Sequence, residues 1–342
     1  MPGELPNITS EWIDKIFGAG NIDFEALSLS LFQYQYRHNL IYGQYAAAVG
    51  RPPERVRQAA DIPFLPVSFF KTHSVVTGSF EPAAVFESSG TTQTINSRHA
   101  IKDLSIYTRS FLQAFERFYG PPADWCILGL LPSYLERKGS SLVLMVDELV
   151  RQSGHAQSGF YLYEHEKLAQ VLQELEQRQQ KTLLIGVTFA LLDFAEKHSL
   201  QLQHTTIMET GGMKGRREEW TRQQVHAFLN ERLGATAIHS EYGMTELLSQ
   251  AYSYGEGLFN CPPWMKIVLR EEDDPLQLLP AGKEAPRSAP VSGLINVIDL
   301  ANIYSCAFIA TDDVGKLYPN GSFEVMGRRD NADLRGCSLM VV

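Results

Sequence analysis

The sequence predicts an α/β fold: a mostly parallel, covered sheet, preceded by a helical segment and followed by a β-rich part. Three observations carry the α/β expectation. Across the middle of the chain, short apolar runs bounded by turn residues alternate with amphipathic stretches, the grammar of βαβ units. Those runs are apolar throughout, as strands of a parallel sheet are when helices cover both faces. After Cys261 the helical periodicity stops and strand-like runs follow one another directly.

The elements follow in order. From residue 8 to about 71, apolar positions in EWIDKIF and LFQYQYRHNLIYGQYAAAV recur at steps of three and four, which predicts helices. Arg51-Pro52-Pro53 breaks them, and the two prolines of DIPFLPVSFFK mark an extended connector. WCILGLLP reads as a strand and SLVLMVDELVRQSG as a helix. In HEKLAQVLQELEQRQQ, Leu168, Val171, Leu172 and Leu175 share one helical face. KTLLIGV, TTIMET and ATAIHS read as strands, separated by the helices TFALLDFAEKH and REEWTRQQVHAFLNERLG, the latter ending in glycine. WMKIVLRE, GLINVIDL, FIATDDVGKLY and SFEVMGR are then strands, with Tyr318-Pro319-Asn320-Gly321 as a hairpin turn.

At 342 residues the chain is long enough for two domains or for one large α/β unit with an appendage. We expect a helical segment over 1–75 packed on the core, an α/β core over 76–260 that holds the turn-rich words PSY, ETGGMKG and EYGMTE, and a β-rich subdomain over 261–342. The 30 Lys and Arg against 39 Asp and Glu give a net charge of −9, which disfavours a nucleic-acid partner. Four scattered cysteines without a C-x-x-C pair argue against a zinc site or a disulfide scaffold and fit a reducing cytosol. The start, MPGELPNITSEW, shows no secretory pattern, and the apolar stretch 182–192 falls short of the roughly 20 residues that cross a bilayer. A cytoplasmic protein without a membrane span is therefore expected.

The turn-rich words cluster. PSY (132–134), ETGGMKG (209–215) and EYGMTE (241–246) each follow a predicted strand, and in an open α/β sheet the carboxyl ends of strands form the ligand crevice. Ordinary strand-to-helix loops are the alternative. ESSGTTQTINSR (87–98) sets four hydroxyls around a glycine, a turn whose N–H groups can face an anion. It lacks the G-K-[ST] ending of a Walker A loop and the G-x-S-x-G of a nucleophile elbow, and a plain polar loop is its other reading. In EYGMTE, Tyr242 can stack on a base, Thr245 supplies a hydroxyl and Glu246 a carboxylate suited to Mg²⁺ near phosphates; a helix start would use the same residues. TDDVG (311–315) places two carboxylates after a strand, for ribose hydroxyls or for a turn. GRRD (327–330) brings guanidinium groups that clamp phosphate or ribose, or form a solvated charge run.

In this order, SSGTT, ETGGMKG, EYGMTE, TDDVG and GRRDNADLRG resemble the motifs of the adenylate-forming superfamily of acyl- and aryl-CoA ligases. PVSFFKTHSV (66–75) ahead of FESSGTT, and the ending GRRDNADLRGCSLM, resemble its LuxE-like acyl-protein synthetase branch. The resemblance implies ATP and Mg²⁺ as cofactors, a carboxylic, fatty-acid substrate, and an acyl reductase or transferase as protein partner. By motif, Ser88, Ser89, Gly90, Thr91 and Thr92 would hold the β- and γ-phosphates. Gly211, Gly212 and Met213 would line the adenine and acyl side, and Tyr242 would cover the base. Thr245 would contact the α-phosphate, Glu246 would bind the metal, Asp312 the ribose, and Arg328 would serve as the arginine of the GR-x-D motif, with Asp330 at the hinge. Cys337, two residues after Arg335, matches the acyl-accepting cysteine near the carboxyl end, although a small packing residue in a terminal strand would look the same. Free CoA as acceptor, or a non-catalytic module that only binds acyl group or nucleotide, are the rival readings. Two departures stand out: the phosphate loop does not reach a G-x-P-K ending, and the usual small lid domain with its lysine is not expected after GRRDNADLRG. Lys71, Lys102, Lys214 and Arg329 are the candidate replacement cations.

Overall fold

The computed structural model describes residues 8–88, 95–132, 139–211, 220–280 and 289–329. Three helices open it: α1 (Ile8–Phe17), α2 (Phe24–His38) and α3 (Leu40–Ala48). Asp23 caps α2 by accepting the Ala26 N–H at 3.0 Å, and Asn39 caps α3 by accepting the Tyr42 N–H at 3.0 Å. Leu27, Leu31 and Phe32 form the buried face of α2. Two buried amides tie this segment to the far end of the chain. Gln35 donates to the Asn302 carbonyl at 2.8 Å and accepts the Ala307 N–H at 2.9 Å, while Asn39 donates to the Ser305 carbonyl at 3.0 Å. Beyond the Arg51-Pro52-Pro53 break the chain runs extended through β1 (Leu65–Pro66) into the single turn α4 (Phe69–Thr72).

A hairpin of β2 (Ala84–Glu87) and β3 (Arg98–Ile101) leads into α5 (Leu104–Tyr119), started by Asp103, which accepts the Ser105 N–H at 2.8 Å. The alternating core follows as expected: β4 (Cys126–Leu130), α6 (Ser141–Ser153), β5 (Gly159–Phe160), α7 (His165–Gln177), β6 (Thr182–Val187), α8 (Thr188–Lys197), β7 (Thr205–Thr210), α9 (Arg222–Leu233) and β8 (Ile238–Tyr242). Local signals set the helix ends. Thr221 and Gln224 cap α9 reciprocally, and Gly234 ends it with φ +63°, where a side chain would be strained. The carboxyl-terminal strands are β9 (Ala251–Ser253), β10 (Leu258–Asn260), β11 (Met265–Arg270), β12 (Val291–Asp299), β13 (Phe308–Leu317) and β14 (Phe323–Arg328).

These strands form one sheet in the order β11-β12-β13-β14-β10-β9-β8-β7-β6-β4-β5, with β1 parallel to β13. From β5 to β8 the pairing is parallel, and from β8 to β11 it is antiparallel. The sheet is thus mixed rather than mostly parallel. Short connections such as Tyr318–Ser322 return the chain directly and enforce antiparallel neighbours. It also runs unbroken across the boundary expected near residue 260, and β1 brings the amino-terminal segment into the same sheet. Among the described residues no helix is long and apolar enough to cross a membrane.

Candidate functional site

Because β4, β6, β7 and β8 are parallel, the segments leaving Leu130, Val187, Thr210 and Tyr242 emerge along one edge. The β2–β3 hairpin closes on that edge. Its neck is a pair of serines: the Ser88 N–H donates to the Ser97 carbonyl at 3.1 Å, and the Ser97 N–H donates to Ser88 Oγ at 2.9 Å. Ser88 therefore holds the base of the hydroxyl-rich loop, whose Ser89, Gly90, Thr91 and Thr92 lie outside the described residues. Directly after the neck, His99 donates from Nδ1 to the Thr245 carbonyl at 2.9 Å. The imidazole is buried and neutral, its pKa pushed down to about 4 by burial, and Phe70 packs edge-on against it at 5.6 Å. The neck of one turn-rich word is so fastened to the middle of another.

EYGMTE is held from several sides. Glu246 is buried, and its main-chain carbonyl accepts from Asn302 Nδ2 at 2.8 Å. Burial raises its carboxyl pKa, while Ser97 and, more weakly, the charges of Arg328 and Lys71 oppose the rise. Asp299 accepts the N–H groups of Leu248 and Ser249 at 2.7 and 3.0 Å and the Ser249 hydroxyl at 2.6 Å, which anchors the following turn to β12. Tyr242 packs edge-on against Phe259 and Phe323 and donates its hydroxyl to Asp313 Oδ2 at 2.8 Å. Arg328 Nε lies 3.8 Å from Asp313 Oδ1.

The structure separates the two carboxylates of TDDVG. Asp312 points outward, its charge acting on Arg270, whereas Asp313 meets Tyr242 and Arg328. Burial, with Asp312 assisting, raises the Asp313 pKa against the pull of Tyr242 and Arg328. Two more buried carboxylates flank the edge. Glu209 accepts from Thr188 at 2.9 Å and Ser240 at 2.7 Å, with Arg222 Nε at 3.5 Å and His226 Nε2 at 3.7 Å. Burial raises its pKa, but these partners together hold it below the usual value. Glu241 accepts from Thr210 on the opposite face. Gly211 turns the chain out of β7 with φ +72°, and its carbonyl accepts from Thr188 at 3.0 Å. Gly212 and Met213 lie outside the described residues.

The family model for acyl-protein synthetase, LuxE, matches residues 21–342. The chain belongs to the LuxE family. No curated protein compared with it matches. Among solved structures, ATP-bound MatB from Rhodopseudomonas palustris is similar over 73% of this chain and 49% of its own, at 17% identity and a TM-score of 0.53. An ATP-bound RpMatB-BxBclM chimera gives 18% identity over 74% and 49%, with a TM-score of 0.52. O-succinylbenzoate coenzyme A synthetase (MenE) from Bacillus subtilis, in complex with ATP and magnesium, gives 16% over 73% and 50%, with 0.49. This LuxE-family chain thus has the fold of adenylate-forming enzymes and spans about half the length of those neighbours.

Within the LuxE-family chain, the sequence-predicted Ser88, Tyr242, Thr245, Glu246 and Arg328 come together, and Gly211 lies on the same strand-end edge. Ser97 and His99 join them without having been given a role, as does Asp313, the second carboxylate of TDDVG. Of the candidate cations, Lys71 acts on Glu246, Lys102 lies 4.1 Å over the Tyr304 ring, Arg329 is exposed, and Lys214 lies outside the described residues. Cys337 and Asp330 also lie outside them. The described cysteines are poor nucleophiles: burial pushes Cys126 up to about 11 and Cys306 up to about 12, and raises Cys261 as well.

Proposed function

We propose that this LuxE-family chain is an ATP- and Mg²⁺-dependent ligase that converts a carboxylic acid, of the fatty class, to its acyl adenylate and transfers the acyl group to a protein cysteine, its own Cys337. One observation carries the reading. The neck of the hydroxyl-rich loop, the Thr245–Glu246 pair and the Tyr242–Asp313–Arg328 group meet at the carboxyl ends of the parallel strands. Hydroxyls and N–H groups beyond Ser88 suit phosphate oxygens. Glu246, a buried carboxylate beside cationic groups, fits a Mg²⁺ ion held by one protein carboxylate together with phosphates. Asp313, fixed by Tyr242, takes the ribose role expected of Asp312: an ionised carboxylate only accepts hydrogen bonds, and ribose hydroxyls donate them. On this reading Gly211, Gly212 and Met213 would line the base and acyl side, and Thr245 would contact the α-phosphate.

In the first step the substrate carboxylate attacks the α-phosphorus and pyrophosphate leaves. Positioning and charge neutralisation supply most of the catalysis for such a displacement; Arg328 acts on Glu246, and of the candidate replacement cations among the described residues Lys71 is the one whose charge reaches it. In the second step a thiolate attacks the acyl carbonyl, AMP leaves and a thioester remains. Burial holds Cys126, Cys261 and Cys306 as thiols, which supports Cys337 as the acceptor. A reductase or transferase would then consume the thioester. The test is ATP–pyrophosphate exchange across short, long and aromatic acids, followed by intact-mass measurement. Exchange that requires an acid and Mg²⁺, with a covalent acyl adduct lost in Cys337→Ser, is expected. No exchange with any acid refutes the ligase reading; exchange with release of acyl-CoA and no adduct moves the acceptor to free CoA.

A further inference from the structure

The ladder between β12 and β13 breaks at one place. Leu294 pairs with Val314 and Asn296 with Ala310, so two steps along β12 are matched by four along β13. The two surplus residues fall within 311–313, the segment that carries Asp313. A bulge strips backbone groups of their ladder partners, and buried carbonyls in that position need other donors.

Arg270, the last residue of β11, supplies them from two strands away. Its Nη1 donates to the Ile295 carbonyl at 3.0 Å and to Asn296 Oδ1, and its Nη2 donates to the Thr311 carbonyl at 2.7 Å. Thr311 completes the lock: its hydroxyl donates to the Ile295 carbonyl at 2.8 Å and accepts the Asp313 N–H at 3.1 Å. The guanidinium is buried, and two of its three acceptors, the Ile295 and Thr311 carbonyls, are groups that the bulge leaves open; the third is the Asn296 side chain. A regular β13 would offer Ile295 and Thr311 ladder partners and would leave this charge only the Asn296 side chain as an acceptor. The arrangement thus has one geometric product, the turning of Asp312 outward and of Asp313 onto Tyr242.

We propose that Arg270 is a positioning residue for nucleotide binding, whose guanidinium sets the double bulge of β13 and thereby aims the Asp313 carboxylate. The ligand part rests on the reading of Asp313 as the ribose acceptor; the aiming itself does not.

Two arms test it. ATP affinity is measured by calorimetry for Arg270→Met, Arg270→Lys and Thr311→Val, each alone and combined with Asp313→Ala. Arg270→Met should weaken ATP binding about tenfold to a hundredfold when Asp313 is present, the range for losing hydrogen bonds to a charged group. In the Asp313→Ala background it should change affinity less than about twofold, because a group acting through Asp313 has nothing left to aim. Arg270→Lys should fall between, since an ammonium cannot span the same fork of acceptors. Equal losses in both backgrounds would mean general loosening and overturn the proposal. The second arm needs no ligand: crystal structures of wild type and Arg270→Met should show the Tyr242–Asp313 hydrogen bond broken in the variant, and an intact bond overturns it. Absence of ATP binding by the wild type would fell the ligand reading, while the crystal arm still decides whether Arg270 aims Asp313. If Arg270→Met does not fold, Thr311→Val carries both arms, and wild-type affinity with the bond intact overturns the proposal.

Discussion

Glutamine in place of Glu241 keeps the shape of the side chain and removes its charge from the end of β8. Glu241 is buried, takes a hydrogen bond from Thr210 across the β7–β8 ladder, and presses Oε1 to within 2.4 Å of where a Cβ on Gly243 would sit. Burial pushes its pKa up to about 7; Glu209 adds to the rise and Thr210 opposes it. The ordinary value is 4.5. Between those two values the folded protein binds more protons than the unfolded chain, so stability falls as pH rises through the window. It is fully retained below the unfolded value. At 1.36 kcal/mol per pKa unit, this one group should cost the wild type about 2–3 kcal/mol between pH 5 and pH 8. Urea unfolding of wild type and Glu241→Gln, followed by fluorescence at pH 5, 6, 7 and 8, isolates it. The variant should gain on the wild type by about 2–3 kcal/mol across that range. A difference independent of pH would refute the reasoning, because Glu241 would then ionise as an ordinary surface carboxylate does.

Tyr242→Phe removes the hydroxyl that fixes Asp313; a bond to a charged group is worth about 1.5–3 kcal/mol, so ATP should bind at least tenfold more weakly by calorimetry. Glu246→Gln should abolish the Mg²⁺ dependence of ATP–pyrophosphate exchange together with most of its rate, and an unchanged metal titration would remove Glu246 from that role. Gln35→Leu leaves the buried carbonyl of Asn302 and the buried N–H of Ala307 without their partner, and should destabilise the fold by about 3 kcal/mol in denaturant titration. Gly315→Ala would place a Cβ 2.6 Å from the Glu324 carbonyl oxygen and 2.6 Å from Ile295 Cδ1, costing about 1–3 kcal/mol by the same measurement.

The parallel half of the fold was legible because each of its elements carries its own local instruction. Thr182–Val187 is buried at every position and reads as a two-faced strand, and Leu168, Val171, Leu172 and Leu175 make a helical stripe. Thr221 and Gly234 bracket α9 with cap chemistry that depends only on neighbouring residues. Helix α5 carried the same kind of signal in Ile106, Tyr107, Ser110, Phe111, Ala114 and Phe115, and the sequence reading passed over it. β9 and β10 are different. Three residues each, AYS and LFN contain no period, and they exist as strands only because β8 and β14 lie beside them. The same holds for β1, where the proline-marked connector reads as extended chain and only β13 makes it a strand. Pairing across more than two hundred residues leaves no trace in local spacing.

At the site the division is the same, and it explains why the motif resemblance put Asp312 in the ribose role whereas the structure turns Asp313 onto Tyr242. Residue type marks TDDVG as acidic and turn-like, and strand alternation sends neighbouring side chains to opposite faces. Which of the pair faces Tyr242 is decided by how many residues β13 inserts opposite Ile295. That number is set by Arg270, some forty positions earlier, and by a hydroxyl on Thr311. Arg270 belongs to no motif, since an arginine ending a strand reads as a solvated charge, and within TDDVG Thr311 draws no notice beside the two carboxylates. Ser97 and His99 are equally silent: they matter because a hairpin neck meets the carbonyl of Thr245. Motif words identify the groups that can touch a nucleotide. The residues that aim those groups are found where a backbone irregularity must be satisfied, and there a buried arginine donating to the carbonyls of a double bulge is the signal to look for.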